Sequence, residues 1–89
     1  MKKIKARRFD KGIVCELSDL CVGKRAIVVQ INEHNQVFRR KLFDMGITKG
    51  VLLEVRKKAP LGDPISVKLR GYELCLRISD LKKISVRVV

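Results

Sequence analysis

The sequence has no tryptophan, one tyrosine, one histidine and no long apolar run. The longest uninterrupted apolar run covers residues 26–29. A membrane-spanning helix needs ~18 such residues, so one is excluded. The shortage of aromatic rings disfavours binding of single-stranded nucleic acid, because successive bases stack on aromatic side chains. The cysteines number three, and an odd, unclustered set gives no disulfide framework.

What is present is a short chain with a substantial apolar fraction. Its 89 residues are 46% hydrophobic, which is enough for a folded core but only for one domain. A large multi-step enzyme is therefore excluded. The basic amino terminus is not followed by the apolar stretch of a secretory signal, so we expect a reduced, cytoplasmic protein.

Basic side chains dominate the charge. The formal net charge is +12 at pH 7, and basic surfaces attract phosphate groups. Residues 1–12 carry six basic side chains and one acidic side chain, and we predict that they form a flexible basic arm ahead of a domain at residues 13–89. Such an arm suits RNA, DNA or an anionic membrane surface, and equally a solubilising terminus without a ligand. The remaining basic residues are scattered, which weakens a nucleic-acid interpretation.

Four segments between residues 51 and 88 alternate apolar and polar side chains, the pattern of strands with one buried face. The run at residues 26–29 is apolar on both faces and predicts a strand covered on each side. Four or five such strands predict an all-β chain that closes into a small barrel, since closure removes exposed edges. The side chains expected to point inward are Val51, Leu53, Val55, Ile65, Val67, Leu69, Leu74, Leu76, Ile78, Ile84, Val86 and Val88.

Turn residues separate these strands. Residues 60–64 contain two prolines and a glycine, which predicts a wide turn. Residues 70–72 predict a tighter hairpin connection. The similar segments LSDL and ISDL each predict a single helical turn, capped by Ser18 in the first and Ser79 in the second.

One segment departs from the β pattern. Phe38, Leu42 and Met45 recur at helical spacing, which predicts an amphipathic helix. Asn35 is suited to cap its first turn, and a glycine follows its last residue. The chain therefore contains one short helix, at about residues 36–45.

The outer side of this predicted helix carries the candidate partner contacts. Phe43 lies well off the apolar stripe, on the side of Arg39 and Arg40, and an aromatic ring flanked by arginines is typical of a protein contact. The alternative is that Phe43 packs against a neighbouring loop. Leu42 is included among the contacts, although its place on the apolar stripe favours the core. We therefore predict partner binding through Arg39, Arg40, Leu42 and Phe43.

The sequence shows no constellation of catalytic or cofactor-binding residues. His34 lies in a polar stretch that favours a surface loop, and no nucleophile-elbow or phosphate-loop motif accompanies it. Cys15, Cys21, Cys75 and His34 together contain the donors of a tetrahedral transition-metal site, but no pair has the short spacing usual for zinc. Cys75 alternates with two leucines expected to be buried, so it should face outward. We predict a protein that is not an enzyme, with no cofactor and no metal ligands.

Three segments resemble the FeoA family in the same order and at the same spacing. They are RKLFDMGITKG at residues 40–50, APLGDPI at 59–65 and GYELCLR at 71–77, followed by Ile84 and Val86. Together they extend the resemblance over residues 17–88. It implies an SH3-like barrel of five to six short strands with one short helix.

The resemblance also implies a function. FeoA-like proteins are cytoplasmic accessory proteins of bacterial ferrous iron uptake, and the expected partner is a FeoB-like membrane permease with a cytosolic GTP-binding domain. The chain would be a non-catalytic module that docks on this permease and modulates it, with the basic arm free for peripheral membrane contact. Two alternatives stay open: a basic β-barrel that binds RNA or DNA, as in ribosome-associated proteins, and a relative of the SH3-like domain of DtxR-type metal-dependent regulators.

Overall fold

One antiparallel sheet forms most of the domain. The computed structural model describes residues 10–89, and within them six strands lie in the order β1-β6-β2-β3-β4-β5. The strands are β1 (Val14–Glu16), β2 (Arg25–Ile31), β3 (Leu52–Lys58), β4 (Ile65–Leu69), β5 (Tyr72–Leu76) and β6 (Ile84–Val88). The helices are α1 (Gln36–Asp44) and α2 (Ile78–Leu81), and a 3-10 turn covers Leu17–Asp19. The predicted all-β architecture with one short helix is confirmed.

Two irregularities in strand register curve the sheet. β2 has one extra residue relative to β6 between Val28 and Gln30, and β3 has one relative to β4 between Val55 and Lys57. An extra residue bends its strand and increases the local twist. β2 pairs with both β3 and β6, so the bends fall around the centre of the sheet and wrap its apolar face inward, as an SH3-like barrel requires.

The inward face of the sheet holds the hydrophobic core. The predicted alternation is confirmed in β3, β4 and β6, whose inward apolar side chains are all buried. In β5, Leu76 is buried and Leu74 is half-buried. Leu17 and Leu20 at the 3-10 turn and Leu81 of α2 pack into the same cluster. Strands and short helical turns therefore share one core.

The two predicted helical turns exist, but the predicted serine caps are wrong. Glu16 and Arg77 occupy the N-cap positions, and neither turn has a side-chain cap from its own segment. Instead, Oδ1 of Asp63 accepts a hydrogen bond of 3.0 Å from the backbone N–H of Ile78, the first residue of α2. The turn between β3 and β4 thus supplies an acceptor to a helix that lies 15 residues further along the chain.

Most of the predicted basic arm, residues 1–9, lies outside the described residues. The backbone N–H of Gly12 donates to the carbonyl of Val88 at 2.7 Å, and the N–H of Val88 donates to Ile13 at 2.9 Å. Gly12, the last residue of the predicted arm, is thus hydrogen-bonded to β6. Within residues 10–89 no helix is long and apolar enough to cross a membrane.

Candidate functional site

Helix α1 is the element that carries the predicted partner contacts, and both of its sides have a clear role. At its start, Oδ1 of Asn35 accepts hydrogen bonds from the N–H groups of Val37, at 2.8 Å, and Phe38, at 3.1 Å, as predicted for a capping residue. On its inner side Leu42 is only 1% exposed and belongs to the core. Leu42 is therefore not an accessible contact residue, and its alternative assignment to the core is correct.

Arg39 fastens α1 to the end of β2. Its Nη1 donates to the carbonyl of Ile31 at 3.1 Å and to the carbonyl of Glu33 at 3.0 Å. The side chain was expected to contact a partner, and it remains exposed. Two main-chain acceptors nevertheless hold the guanidinium in place, so Arg39 fixes the angle at which α1 leaves the sheet.

The connection between β2 and α1 is held by a second set of polar contacts. The carboxylate of Glu33 accepts from the backbone N–H of Asn35 at 3.0 Å and pairs with Nζ of Lys83 at 3.2 Å. These two contacts, the Asn35 N–H first, hold the pKa of Glu33 below its ordinary value of 4.5. The Lys83 ammonium also lies 4.7 Å from the centre of the Phe38 ring, within range of a cation–π contact.

The other end of α1 is attached to the hairpin between β4 and β5. The hydroxyl of Tyr72 donates to the carbonyl of Met45, and Nη2 of Arg70 lies 3.4 Å from the hydroxyl of Thr48. Gly46 has a φ of +90°, a conformation that glycine adopts freely and other residues do not. Residues 45–48 therefore return from the helix along a path set by the hairpin.

The outer side of α1 presents a continuous ridge. Val37, Arg40 and Phe43 follow one another at three-residue spacing, which places their side chains in one row along a helix. Val37 is 79% exposed and Phe43 is 64% exposed, so Phe43 does not pack into a neighbouring loop. Arg40 lies between them and pairs with Asp44, with 3.4 Å between Nε and Oδ1. Two predicted contacts, Arg40 and Phe43, are thus brought together on an accessible surface.

An open groove of about 1370 Å³ runs along this helix. The exposed side of α1 forms most of its wall, and Gln30, Ile31, Met45 and residues 47–49 complete it; we call it the α1 groove. Its cationic lining residues are Arg39, Arg40, Lys41 and Lys49, against the single carboxylate of Asp44, a net charge of +3. A groove with an apolar ridge and excess positive charge is suited to a ligand that is both acidic and partly apolar.

The groove residues outside the predicted set include Val37, Gln30, Lys49 and Thr48. A sequence signal existed for Val37, because it is three residues before Arg40 in the helical row. None existed for Gln30 or Thr48, because their position depends on how the end of β2 and the return loop pack around α1.

The residues considered as metal ligands are not assembled. Within residues 10–89 no three His, Cys, Asp or Glu side chains lie close enough together to hold a metal ion. His34 is exposed in the connection between β2 and α1, and Cys21 and Cys75 are exposed cysteines. Cys75 faces outward as predicted.

Fold and surface together define a small SH3-like barrel with a helix-borne groove. The family model described as the FeoA domain matches residues 15–88. The chain belongs to the FeoA family.

A relative named for iron transport is similar to most of this chain. The chain is 36% identical over 73 residues to a Fe(2+) transport protein A/Fe(2+) transporter FeoB fusion protein of Porphyromonas gingivalis. That match covers 82% of this chain and only 8% of the fusion protein. The fusion associates the family with ferrous iron transport.

Solved structures of the family share the fold closely. A FeoA-like protein from Clostridium acetobutylicum is 41% identical, with a TM-score of 0.77 and 90% of each chain covered. The zinc complex of FeoA from Stenotrophomonas maltophilia, described as a prokaryotic SH3 domain protein, is 33% identical with a TM-score of 0.66, covering 79% of this chain and 86% of that one.

The regulator alternative finds support in the fold alone. A manganese-dependent transcriptional repressor superposes with a TM-score of 0.79, but it is 21% identical and only 37% of its chain is covered. The barrel is thus shared between the two groups of proteins, and sequence identity assigns this chain to the FeoA family.

Proposed function

We propose that this chain is a cytoplasmic, non-catalytic accessory protein of ferrous iron uptake, which docks on a FeoB-like permease and modulates its activity. The observation that carries the proposal is the exposed row of Val37, Arg40 and Phe43 on a helix whose opposite side is anchored in the core by Leu42. A rigid helix with exposed apolar side chains is a ready protein-binding surface.

The fusion relative supports the choice of partner. Two proteins joined in one chain are held at an effective concentration that makes even a weak contact persist. Contact with the permease needs an exposed surface on the barrel in either arrangement. The α1 groove is such a surface, since it combines exposed apolar side chains with charge.

A few side chains would contribute most of the free energy of docking through this surface. Buried aromatic anchors and arginines contribute most of the binding energy of typical interfaces. Burial of Phe43 removes a largely exposed ring from water, and Arg40 lies beside it on the same row. Because α1 is held at both ends, binding costs little reordering of the helix.

The accessible part of the permease is its cytosolic portion, which carries the GTP-binding domain expected of FeoB-like proteins. A bound barrel could alter the rate of nucleotide turnover there or the assembly of the permease. One measurement distinguishes these outcomes. A change in nucleotide turnover alters GTP hydrolysis by the soluble portion, whereas a change in assembly does not.

The test is a titration of the full chain into the purified cytosolic portion of the FeoB-like permease from the same organism. We expect Phe43→Ser to weaken binding by at least about tenfold. Leu61→Ser is the matched control, because Leu61 is 96% exposed and lies in the turn between β3 and β4, outside the groove. Absence of binding by the unaltered chain at low salt contradicts the proposal.

The nucleic-acid alternative is favoured only by the net charge of +12. Binding of that kind loses affinity steeply with salt, with a log–log slope of several units. A structured RNA titrated under the same conditions separates the two functions, because a docking module prefers the permease at every ionic strength.

A further inference from the structure

The α1 groove has features that restrict the chemistry of whatever fills it. Val37 and Phe43 are six residues apart on α1, which is about 9 Å along the helix axis. Leu61, Val37 and Phe43 are the three most exposed large apolar side chains within residues 10–89, and two of them lie on this one row. An occupant that buries the row needs an apolar side chain of its own.

The charges around the row restrict the occupant further. Arg40 lies between the two apolar side chains, and Lys41 and Lys49 are further cations of the lining. Asp44 is engaged by Arg40 at 3.4 Å, so the single carboxylate of the groove already has a cationic neighbour. Net positive charge beside an apolar row complements carboxylates that flank an apolar anchor.

We infer that the α1 groove binds an acidic segment of a partner protein that carries one aliphatic or aromatic anchor side chain. The identity of that partner as the permease rests on the proposed function, but the chemistry of the segment rests on the groove. The anchor packs against Phe43, and the carboxylates face Arg40, Lys41 and Lys49. A segment of two helical turns, or of three to four extended residues, reaches from Val37 to Phe43, since it needs to span about 9 Å.

A protein segment fits better than the other anionic occupants. A lipid headgroup layer contacts protruding side chains and does not enter a groove walled by a helix and a return loop. Nucleic acid without sequence preference needs aromatic platforms for its bases, and the lining contains one aromatic residue, Phe43. A peptide alone combines carboxylates and an apolar side chain at the spacing of the row.

The test uses the ¹⁵N-labelled full chain and synthetic acidic peptides of about twelve residues, long enough to follow the nine-residue helix. One peptide has a central leucine, the second has serine at that place, and the third has the leucine with lysines in place of the acids. We expect only the first to shift the amide signals of α1 and residues 45–49. Raising the ionic strength from about 0.05 to about 0.5 M should weaken its binding, because screening shortens the range of the charges.

Two variants that change the net charge equally show whether the first peptide binds in the groove. Arg40→Glu should weaken binding of the first peptide by at least about tenfold. Lys58→Glu changes the net charge equally at an exposed site outside the groove, and should change affinity far less. Equal binding of all three peptides, equal effects of the two variants, or binding of anionic vesicles with the same dependence on Arg40 and Phe43 overturns the inference.

The peptide experiment and the permease experiment fail independently. If the permease binds through Phe43 but the acidic peptide does not bind, the inferred segment chemistry is wrong and the proposed function stands. If the acidic peptide binds in the groove and the permease does not, the groove chemistry stands and the proposed partner is wrong.

Discussion

The hydroxyl of Tyr72 on β5 donates a hydrogen bond to the carbonyl of Met45 at the end of α1. This contact joins the helix that carries the groove to the hairpin at the far edge of the sheet, 27 residues further along the chain. It passes directly over Gly46, where a Cβ added to the glycine would lie 2.5 Å from the same hydroxyl. The end of α1 is therefore positioned by a close approach that only glycine allows.

Gly46→Ala should destabilise the protein for two separable reasons. A φ of +90° strains any residue with a Cβ, by about 1–2 kcal/mol, and the added methyl displaces the Tyr72 hydroxyl, a further ~1 kcal/mol for the hydrogen bond. Gly50→Ala is the control, because Gly50 has a φ of +88° and nothing within 4 Å of its Cβ position. Urea unfolding should show a loss about 1 kcal/mol larger for Gly46→Ala.

Tyr72→Phe should cost about 0.5–1.5 kcal/mol, because it removes the hydroxyl and leaves the carbonyl of Met45 to water. The difference between Gly46→Ala and Gly50→Ala should shrink in this background. A double-mutant cycle measures the coupling directly. Unchanged differences would mean that the Tyr72 contact contributes nothing to the cost at Gly46.

Arg39 and Arg40 are neighbours with different roles, and their alanine variants should separate those roles. Arg39→Ala removes two hydrogen bonds to main-chain carbonyls, so we expect a loss of about 1 kcal/mol and faster hydrogen exchange at the start of α1. Arg40→Ala removes only an exposed pair with Asp44, worth about 0.3–0.5 kcal/mol. Binding to a partner should depend more on Arg40 than on Arg39.

Equal losses of stability in Arg39→Ala and Arg40→Ala would contradict the interpretation that the hydrogen bonds of Arg39 hold α1 against the end of β2. Arg39→Lys sharpens the comparison, because an ammonium on a flexible stem lacks the planar fork of a guanidinium. It keeps the charge, so a stability loss in Arg39→Lys isolates the geometry of the two hydrogen bonds.

The strands and the helix could be predicted because each has one buried side. Val51, Leu53 and Val55 alternate with period two, and Leu42 lies on a stripe of helical period; both patterns follow from burial against one core. The same geometry placed Phe43 off the apolar stripe, but it left open whether the ring packs against a loop. Local periodicity therefore predicted which side of each element faces the core, and the exposure of Phe43 became evident only in the structure.

Contacts between residues that are far apart in the sequence leave no periodic pattern, so they could not be predicted in this way. The acceptors of Arg39 are main-chain carbonyls, which every residue possesses. The side-chain type of Arg39 alone therefore did not predict its two hydrogen bonds. The cap of α2 comes from Asp63 in another turn, and Ser79 offered a plausible local cap that the structure does not use. Gln30 and Thr48 line the groove only because the end of β2 and the loop after α1 both lie beside the helix.

Asp63→Ala should destabilise the protein by about 1 kcal/mol, the usual cost of losing a helix-capping acceptor. The backbone N–H of Ile78 would lose its partner at 3.0 Å. Asp63→Asn keeps a carbonyl oxygen at the same place and should retain most of the stability. Thermal unfolding of the two variants checks this, and similar losses in both would show that the negative charge matters and not the hydrogen bond.

The lowered pKa of Glu33 predicts how the stability of the protein depends on pH. The backbone N–H of Asn35 and the Lys83 ammonium hold the pKa of its carboxyl below 4.5 in the folded chain. A group with a lowered folded pKa stabilises the protein above its unfolded pKa, and the stabilisation disappears as pH falls through the folded pKa. The contribution of Glu33 should therefore be constant near neutral pH and fall below about pH 4.5.

Glu33→Gln isolates this contribution, because glutamine keeps an oxygen acceptor for the Asn35 N–H but carries no charge to attract Lys83. The other carboxylates are common to both proteins and cancel in the difference between them. Urea midpoints measured from about pH 7 to about pH 3 should show a stability advantage of the unaltered chain that vanishes at the acidic end. An advantage that persists there would show that the contribution of Glu33 does not depend on its negative charge, and that its pKa is not lowered by folding.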